Sequence, residues 1–241
     1  MASEILLQIA SDVRDRFPEI RCGGFRTSSI PAIDEHAVGV DGELIRSELR
    51  AQGLTLDSIT QDPRIAAWRS AIQGSGLKAA KVRGSAEQLV RRYLRGDSIG
   101  GPRLVRIYCS VSAKAVAPLG GYDVDLLPSC PIQLRFAQPG DRFEPLGGKA
   151  SDMPLTPTIP VYAAGDTVLC WMFNVRDAMA TALSDATTEA LFVTEALTPA
   201  QAESSIEALT ILRGLLSVAG AHVGPIKWND AEGRLSIPTP S

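Results

Sequence analysis

Ile132-Gln-Leu-Arg-Phe136 and Val161-Tyr-Ala-Ala-Gly-Asp-Thr-Val-Leu-Cys-Trp-Met-Phe173 are the stretches that decide the fold. In the first, Ile132, Leu134 and Phe136 alternate with Gln133 and Arg135, the period-two signature of a half-buried strand. In the second, two apolar runs flank Gly165-Asp166, a pair suited to a two-residue hairpin turn. A third apolar run, over 190–194, reads as a buried strand.

Toward the N-terminus the period lengthens. Leu104, Val105, Tyr108, Val111, Ser112 and Ala115 make a helical stripe that starts after Pro102. Ser85-Ala-Glu-Gln88 reads as a capping box opening a helix over 86–95, ended by Gly96. Asp62-Pro63 opens another helix to about Gln73, and one over 43–52 ends at Gly53. Residues 20–26 form a short strand. Residues 4–16 carry Ile5, Ile9 and Val13 on one helical face, with Ser3 as cap and Pro18 as stop, so an amphipathic helix is expected there.

Toward the C-terminus, Thr198-Pro-Ala-Gln201 is a second capping box and launches a helix to about Ala219. Residues 224–237 read as a last hairpin turning at Ala231-Glu-Gly233, and 154–160 as a surface loop. Helices dominate the first half and strands the middle. The expected fold is α+β: one domain over 1–241, a mixed, largely antiparallel sheet flanked by helices, and a flexible tail at 237–241.

Composition narrows the function. Hydrophobic residues make up 45% and charged residues 21%, enough apolar material for a globular core. No apolar run nears the ~20 residues of a membrane span, and Glu4 interrupts the apolar start, so a cytoplasmic protein without a signal peptide is expected. Cys22, Cys109, Cys130 and Cys170 are far apart and read as reduced, buried thiols. His36 and His222 have no metal-ligand neighbours, so neither a metal nor another cofactor is expected. A Gly-x-Ser-x-Gly elbow and a phosphate-binding Gly-rich loop are both missing. The formal net charge is −3, yet 78–106 carries eight cationic side chains against Glu87 and Asp97, a net +6 that leaves −9 for the rest. Such a face either is solvated or meets phosphates.

Several strings together resemble a known family. They are Arg16-Phe-Pro-Glu-Ile-Arg-Cys-Gly-Gly-Phe25, Trp68-Arg69, Lys81-Val-Arg-Gly-Ser-Ala-Glu-Gln-Leu-Val-Arg-Arg92, and Pro118-Leu-Gly-Gly-Tyr-Asp-Val-Asp125. Next come Leu134-Arg-Phe-Ala137, Gly140-Asp-Arg-Phe-Glu-Pro-Leu-Gly147, Asn174-Val-Arg-Asp177, and Thr187-Thr188 through to Glu195. In this order, over about 15–215, they resemble freestanding relatives of the tRNA-editing (B-three/B-four) domain of the phenylalanyl-tRNA synthetase beta subunit. The synthetase module removes wrongly attached tyrosine from tRNA.

The resemblance implies an aminoacyl-tRNA deacylase acting in trans on mischarged tRNA with a positioned water. An activated ester needs no protein nucleophile. Catalytic roles would fall to Glu195, Gly120 and Gly121. Substrate contacts would fall to Arg83, Ser85, Asp123, Glu144, Asn174 and Asp177, and tRNA contacts to Lys78, Lys81, Arg91, Arg92, Arg95 and Arg106. Blander readings stand beside these: Ser85 as a helix cap, Arg83 in a surface ion pair, Gly120-Gly121 as a tight turn, Asp123 as a cap, Glu195 as a satisfied structural carboxylate, and Trp68, Trp171 and Trp228 as core. The expected site is a cleft between the 118–125 turn, Ser85 and 174–177, with Glu195 nearby. Gly120 replaces the synthetase module's histidine. Pro102, Arg106 and Cys109 stand where that module keeps an Asn-Pro start, an Asp and an Asn. These departures keep open a non-catalytic module that binds tRNA, an amino acid or a protein partner. A hydrolase of small amino-acid-like esters or amides also stays open, as does homo-oligomerisation.

Overall fold

A computed structural model describes residues 4–33 and 40–240. Ser3, His36 and Ser241 therefore lie outside the described residues. Two sheets carry the strands. In one, β1 (Glu4–Ile9) sits between β11 (Arg234–Pro238) and β4 (Ile132–Phe136), and the order continues through β5 (Pro160–Ala164), β6 (Thr167–Trp171) and β7 (Arg176–Asp177). In the other, β8 (Ala190–Ala196) runs between β2 (Arg21–Ser28) and β3 (Gly120–Asp123). β10 (Lys227–Trp228) and β9 (His222–Val223) also pair with β2. Among the described strands only β1 and β4 pair in parallel, so the pairing is mixed and largely antiparallel, as expected for an α+β fold.

The sheets share a core of Leu7, Ile9, Leu134, Val161 and Trp171 from one and Cys22, Tyr122, Leu191 and Val193 from the other. The opposite face of the second sheet, with Phe25 and Phe192, is covered by α5 (Arg103–Ala115) and α6 (Pro199–Val218). A third apolar cluster joins α2 (Gly42–Ala51), α4 (Ser85–Arg95) and α5. α3 (Pro63–Gly74) is capped by Asp62, whose carboxylate accepts from Arg64 N–H at 2.9 Å. Trp68 and Trp171 are core, whereas Trp228 is half-buried and lies over Gly23. Among the described residues no helix is long and apolar enough to cross a membrane.

Several expectations are corrected. Residues 4–16 split into β1 and the short helix α1 (Ser11–Arg16). Ile5 and Ile9 satisfy a helical spacing of four and a strand spacing of two alike; Leu7 and Ile9 are buried while Leu6 is exposed, which is the strand solution. The last hairpin turns as expected, with Gly233 N–H bonding Asp230 O, but its arms join different sheets, β10 on β2 and β11 on β1. Ile237 is wholly buried and Pro238 pairs with Glu4, so those two residues of the tail belong to a strand. Arg135, read as solvent-facing, is buried in a two-pronged ion pair with Asp141 at 2.7 and 2.8 Å. Gly120 and Gly121 lie in β3 and form no turn. Of the four cysteines only Cys22 and Cys170 are buried; Cys130 is exposed.

Candidate functional site

Strand alternation sets the two faces of β8. Leu191, Val193 and Glu195 point between the sheets, while Thr194 points to the helices and bonds Ser205 of α6 at 3.0 Å. Glu195 is only 2% exposed and has no cationic partner among the described residues. Its Oε2 accepts from Tyr162 O–H at 2.9 Å and its Oε1 from Asn174 Nδ2 at 2.5 Å. Asn174 Oδ1 accepts from the backbone N–H and the hydroxyl of Ser85, each at 3.2 Å. The amide orientation follows: a flipped Asn174 would set an NH2 against the Ser85 N–H. Cys22 Sγ lies 3.4 Å from the Tyr162 oxygen, so a chain of polar contacts runs from half-buried Ser85 and Asn174 to buried Glu195, Tyr162 and Cys22.

Local backbone explains how Asn174 reaches this point. After β6, Met172 and Phe173 take φ of +52° and +58°, the left-handed region that side chains avoid. Phe173 is held there by its N–H bond to Pro160 O and by edge contacts with Phe17 and Trp68. The strained pair turns the chain so that Asn174 faces Ser85 at the first turn of α4. Here Ser85 departs from the sequence reading. Gly84 takes the cap position, and the Ser85 hydroxyl bonds Asn174, so the expected capping box does not form. Gln88 Nε2 instead reaches back to Arg83 O at 2.7 Å.

Ser85, Gln88, Tyr162 and Glu195 line a cavity of about 160 Å³ together with Tyr108, Cys109, Gly120, Tyr122, Arg92 and the 173–177 segment. Gly120 forms open wall: a Cβ there would meet Val193 Cγ2 at 3.3 Å and the Tyr122 hydroxyl at 3.6 Å. Gly121 faces the other way, and a Cβ would strike Leu183 at 2.7 Å.

Electrostatics follow from burial. Desolvation pushes the Glu195 carboxyl up to about 7 against the pull of its two hydrogen bonds, and the charge of Asp177 adds to the rise. Asp177 rises to about 6, again from desolvation, opposed by the Cys170 thiol and Arg176. Burial, then Asp177, pushes the Cys109 thiol up to about 12, and Cys170 and Cys22 rise as well. The cavity thus holds thiols rather than thiolate nucleophiles. Among the described residues no three His, Cys, Asp or Glu side chains converge as metal ligands.

Of the expected site residues, the cavity brings together Ser85, Gly120, Asn174, Asp177, Glu195 and Arg92. Asp123 is buried outside it, accepting from Thr187 Oγ1 at 2.6 Å and from Asp125 N–H. Glu144 is exposed, and Gly121 belongs to the helix-facing side. Arg83 and Arg91 are bound with Arg69 around the buried Glu87, at 3.6, 2.9 and 3.0 Å. Arg106 lines a separate cleft beside Arg46 and Asp97. Lys78, Lys81 and Arg95 are exposed and away from the cavity. Of the three departures from the family pattern, Cys109 alone lines the cavity. Tyr162, Tyr122 and Arg176 were missed. Each sits beside a residue the sequence did mark, but nothing local separates it from an ordinary strand residue.

The family model of the B3/4 domain matches residues 67–213, a span that contains every residue lining the cavity. A crystal structure of an N-terminal fragment of the phenylalanyl-tRNA synthetase beta-subunit from Pyrococcus horikoshii is similar at a TM-score of 0.46 and 11% identity. The likeness covers 90% of this chain and 49% of that one, so the chain spans about half the fragment's length. No curated protein matches.

Proposed function

Because the chain belongs to the B3/4 domain family, we propose that it works on tRNA as an aminoacyl-tRNA deacylase, hydrolysing the ester of a mischarged tRNA in trans. The observation that carries this is the poised Glu195: a buried carboxylate in a cavity, held by neutral donors, with a proton affinity near neutrality. In the reaction, a water oxygen attacks the ester carbonyl and Glu195 takes the water's proton. The tetrahedral intermediate then expels the ribose oxygen, which takes that proton back. Asp177 faces the same cavity and would attract the α-ammonium of the amino acid. The acids also explain why no Ser, Cys or metal is needed, since the ester is already activated.

The test is deacylation of a panel of mischarged tRNAs. Wild type should release at least one amino acid. Gly120→Val, which fills the open wall, should abolish release, and Glu195→Gln should slow it by about 10²–10⁴-fold, the usual worth of a general base. Wild-type rates in Gly120→Val would place the chemistry elsewhere.

One observation favours a second reading, a binding module without hydrolysis. Both Glu195 oxygens already accept a hydrogen bond, and Cys109 puts a thiol where the family pattern has an amide. Saturable binding of an aminoacyl-tRNA without turnover on the whole panel would decide for it.

A further inference from the structure

The cavity has acids at its floor and, at its lip, guanidinium groups that form no direct ion pair among the described residues. Glu195 is 2% exposed, whereas Arg176 is half-buried and Arg92 exposed, and all three line the same space. Many of the chain's arginines answer to a carboxylate: Arg26 to Glu189, Arg64 to Asp62, Arg135 to Asp141, and three to Glu87. Arg92 and Arg176 do not. Arg92 donates to Ser98 O at 2.7 Å and Arg176 to Leu146 O at 3.3 Å; among the described residues neither forms a direct ion pair with a carboxylate, though the charge of Arg176 is felt by its neighbour Asp177. Arg176 Nε is also shut away from solvent with no acceptor among the described residues. Each guanidinium has five N–H donors, so most of their capacity is unspent. An uncompensated buried donor of this kind is costly unless a ligand satisfies it.

We infer that Arg92 and Arg176 form a phosphate subsite at the cavity mouth, which holds the phosphate 5′ to the terminal adenosine while the aminoacyl group enters toward Glu195. The inference rests on the deacylase reading and deepens it: the ligand is recognised as an amine and a phosphate joined through a nucleoside. Polarity fixes the direction of entry. The ammonium goes to the acidic floor and the anion stays at the basic lip. Guanidinium is suited to this task because its fork matches phosphate oxygens in pairs. A free amino acid offers its carboxylate one carbon from its ammonium, so it would bring that anion to the floor, beside Asp177 and Glu195, rather than to the lip.

The experiment compares two non-hydrolysable probes by calorimetry: 3′-glycylamino-3′-deoxyadenosine, with and without a 5′-phosphate. Glycine is the smallest aminoacyl group, so side-chain fit does not enter. The phosphate should tighten binding by about tenfold or more in wild type, the worth of one charge-assisted contact. In Arg92→Gln and in Arg176→Gln that ratio should fall toward one, and the lysine variants should keep part of it. Because the readout is a ratio within each variant, a general loss of affinity cancels. Equal binding of the two probes, or a phosphate gain that survives both glutamine variants, would overturn the subsite alone. Free glycine binding as tightly as the phosphorylated probe would overturn it in favour of carboxylate recognition. If neither nucleoside binds, the deacylase reading falls and takes the subsite with it.

Discussion

Two buried glutamates on either side of the α4 N-terminus have opposite surroundings. Glu87 and Glu195 are each 2% exposed. Glu87 is enclosed by the guanidinium groups of Arg69, Arg83 and Arg91. Glu195 is bonded, among the described residues, by an amide and a phenol alone. Equal burial therefore leads to different physical roles. Three guanidinium groups surround Glu87 and tie α3 to α4, a structural knot. Neutral donors leave the Glu195 proton exchangeable near neutrality, which suits chemistry. Removing Glu87 should have the largest effect on the fold. Glu87→Ala leaves three guanidinium groups around an uncompensated space and should cost about 3 kcal/mol, the low end for a broken buried pair because the arginines are partly wet. Urea denaturation measures it. A loss near zero would show that the knot contributes no more than surface pairs do.

Glu195 should show its difference as a pH dependence. Below about pH 4.5 the carboxyl is protonated both folded and unfolded; as pH rises the unfolded chain ionises first, while the folded group holds its proton to about 7. The folded state then binds more protons, so stability falls as pH rises through this window, by on the order of 3 kcal/mol from this residue. Asp177, raised from 3.8 to about 6, acts with the same sign. Glu195→Gln should flatten the profile between pH 4.5 and 7, leaving the Asp177 part. An unchanged profile in the variant would mean that Glu195 is ionised throughout.

The same two glutamates mark what the sequence could tell. Glu195 was marked by the family resemblance, as the carboxylate that follows the buried run 190–194, and Asn174 and Ser85 lay in strings already singled out; its place on the inter-sheet face comes from its period-two relation to Leu191 and Val193 in β8. Tyr162 was not. A two-residue turn at Gly165-Asp166 would set it opposite Leu169, but an irregularity between Tyr162 and Ala163 shifts the register and sets it opposite Cys170. Nor was β1 legible from its own residues, since its neighbours Ile237 and Ile132 are supplied by distant chain. Local signals found most helices and strands, and the i,i+4 spacing on α4 offers Arg91 to Glu87; nothing local says that Arg69 joins from α3 or that Glu87 is buried.

A smaller effect sharpens the account of Glu195. Tyr162 donates to Oε2 and so favours the ionised form. Tyr162→Phe removes that donor, so the proton should be held more tightly. The midpoint of the stability profile, and of any pH–rate profile, should rise by roughly one pH unit, as expected for one hydrogen bond to a charged group. A midpoint that stays or falls would mean that the tyrosine is the acceptor, with the carboxyl proton lying between them.

The smallest expected effect separates neighbours on α4. Arg91 and Arg92 both contribute to the basic segment, and charge alone gives them equal claims on tRNA. Arg91 Nε is 2.9 Å from Glu87 and its Nη1 bonds Leu56 O, so its charge is already matched within the fold. Arg92 is exposed at the cavity lip without a carboxylate partner among the described residues. Each cation that neutralises a phosphate adds about 0.7–0.9 to the slope of log binding constant against log salt. Arg92→Gln should flatten the slope for tRNA by roughly that amount with little change in stability. Arg91→Gln should leave the slope nearly as it is and lower stability instead, because Glu87 loses one of its three cations. Filter binding across a salt series, with denaturation curves on both variants, reads the two effects separately. If Arg91→Gln flattens the slope as much as Arg92→Gln, the cations around Glu87 are still available to nucleic acid. The contrast between a closed knot and an open lip would then have to be given up.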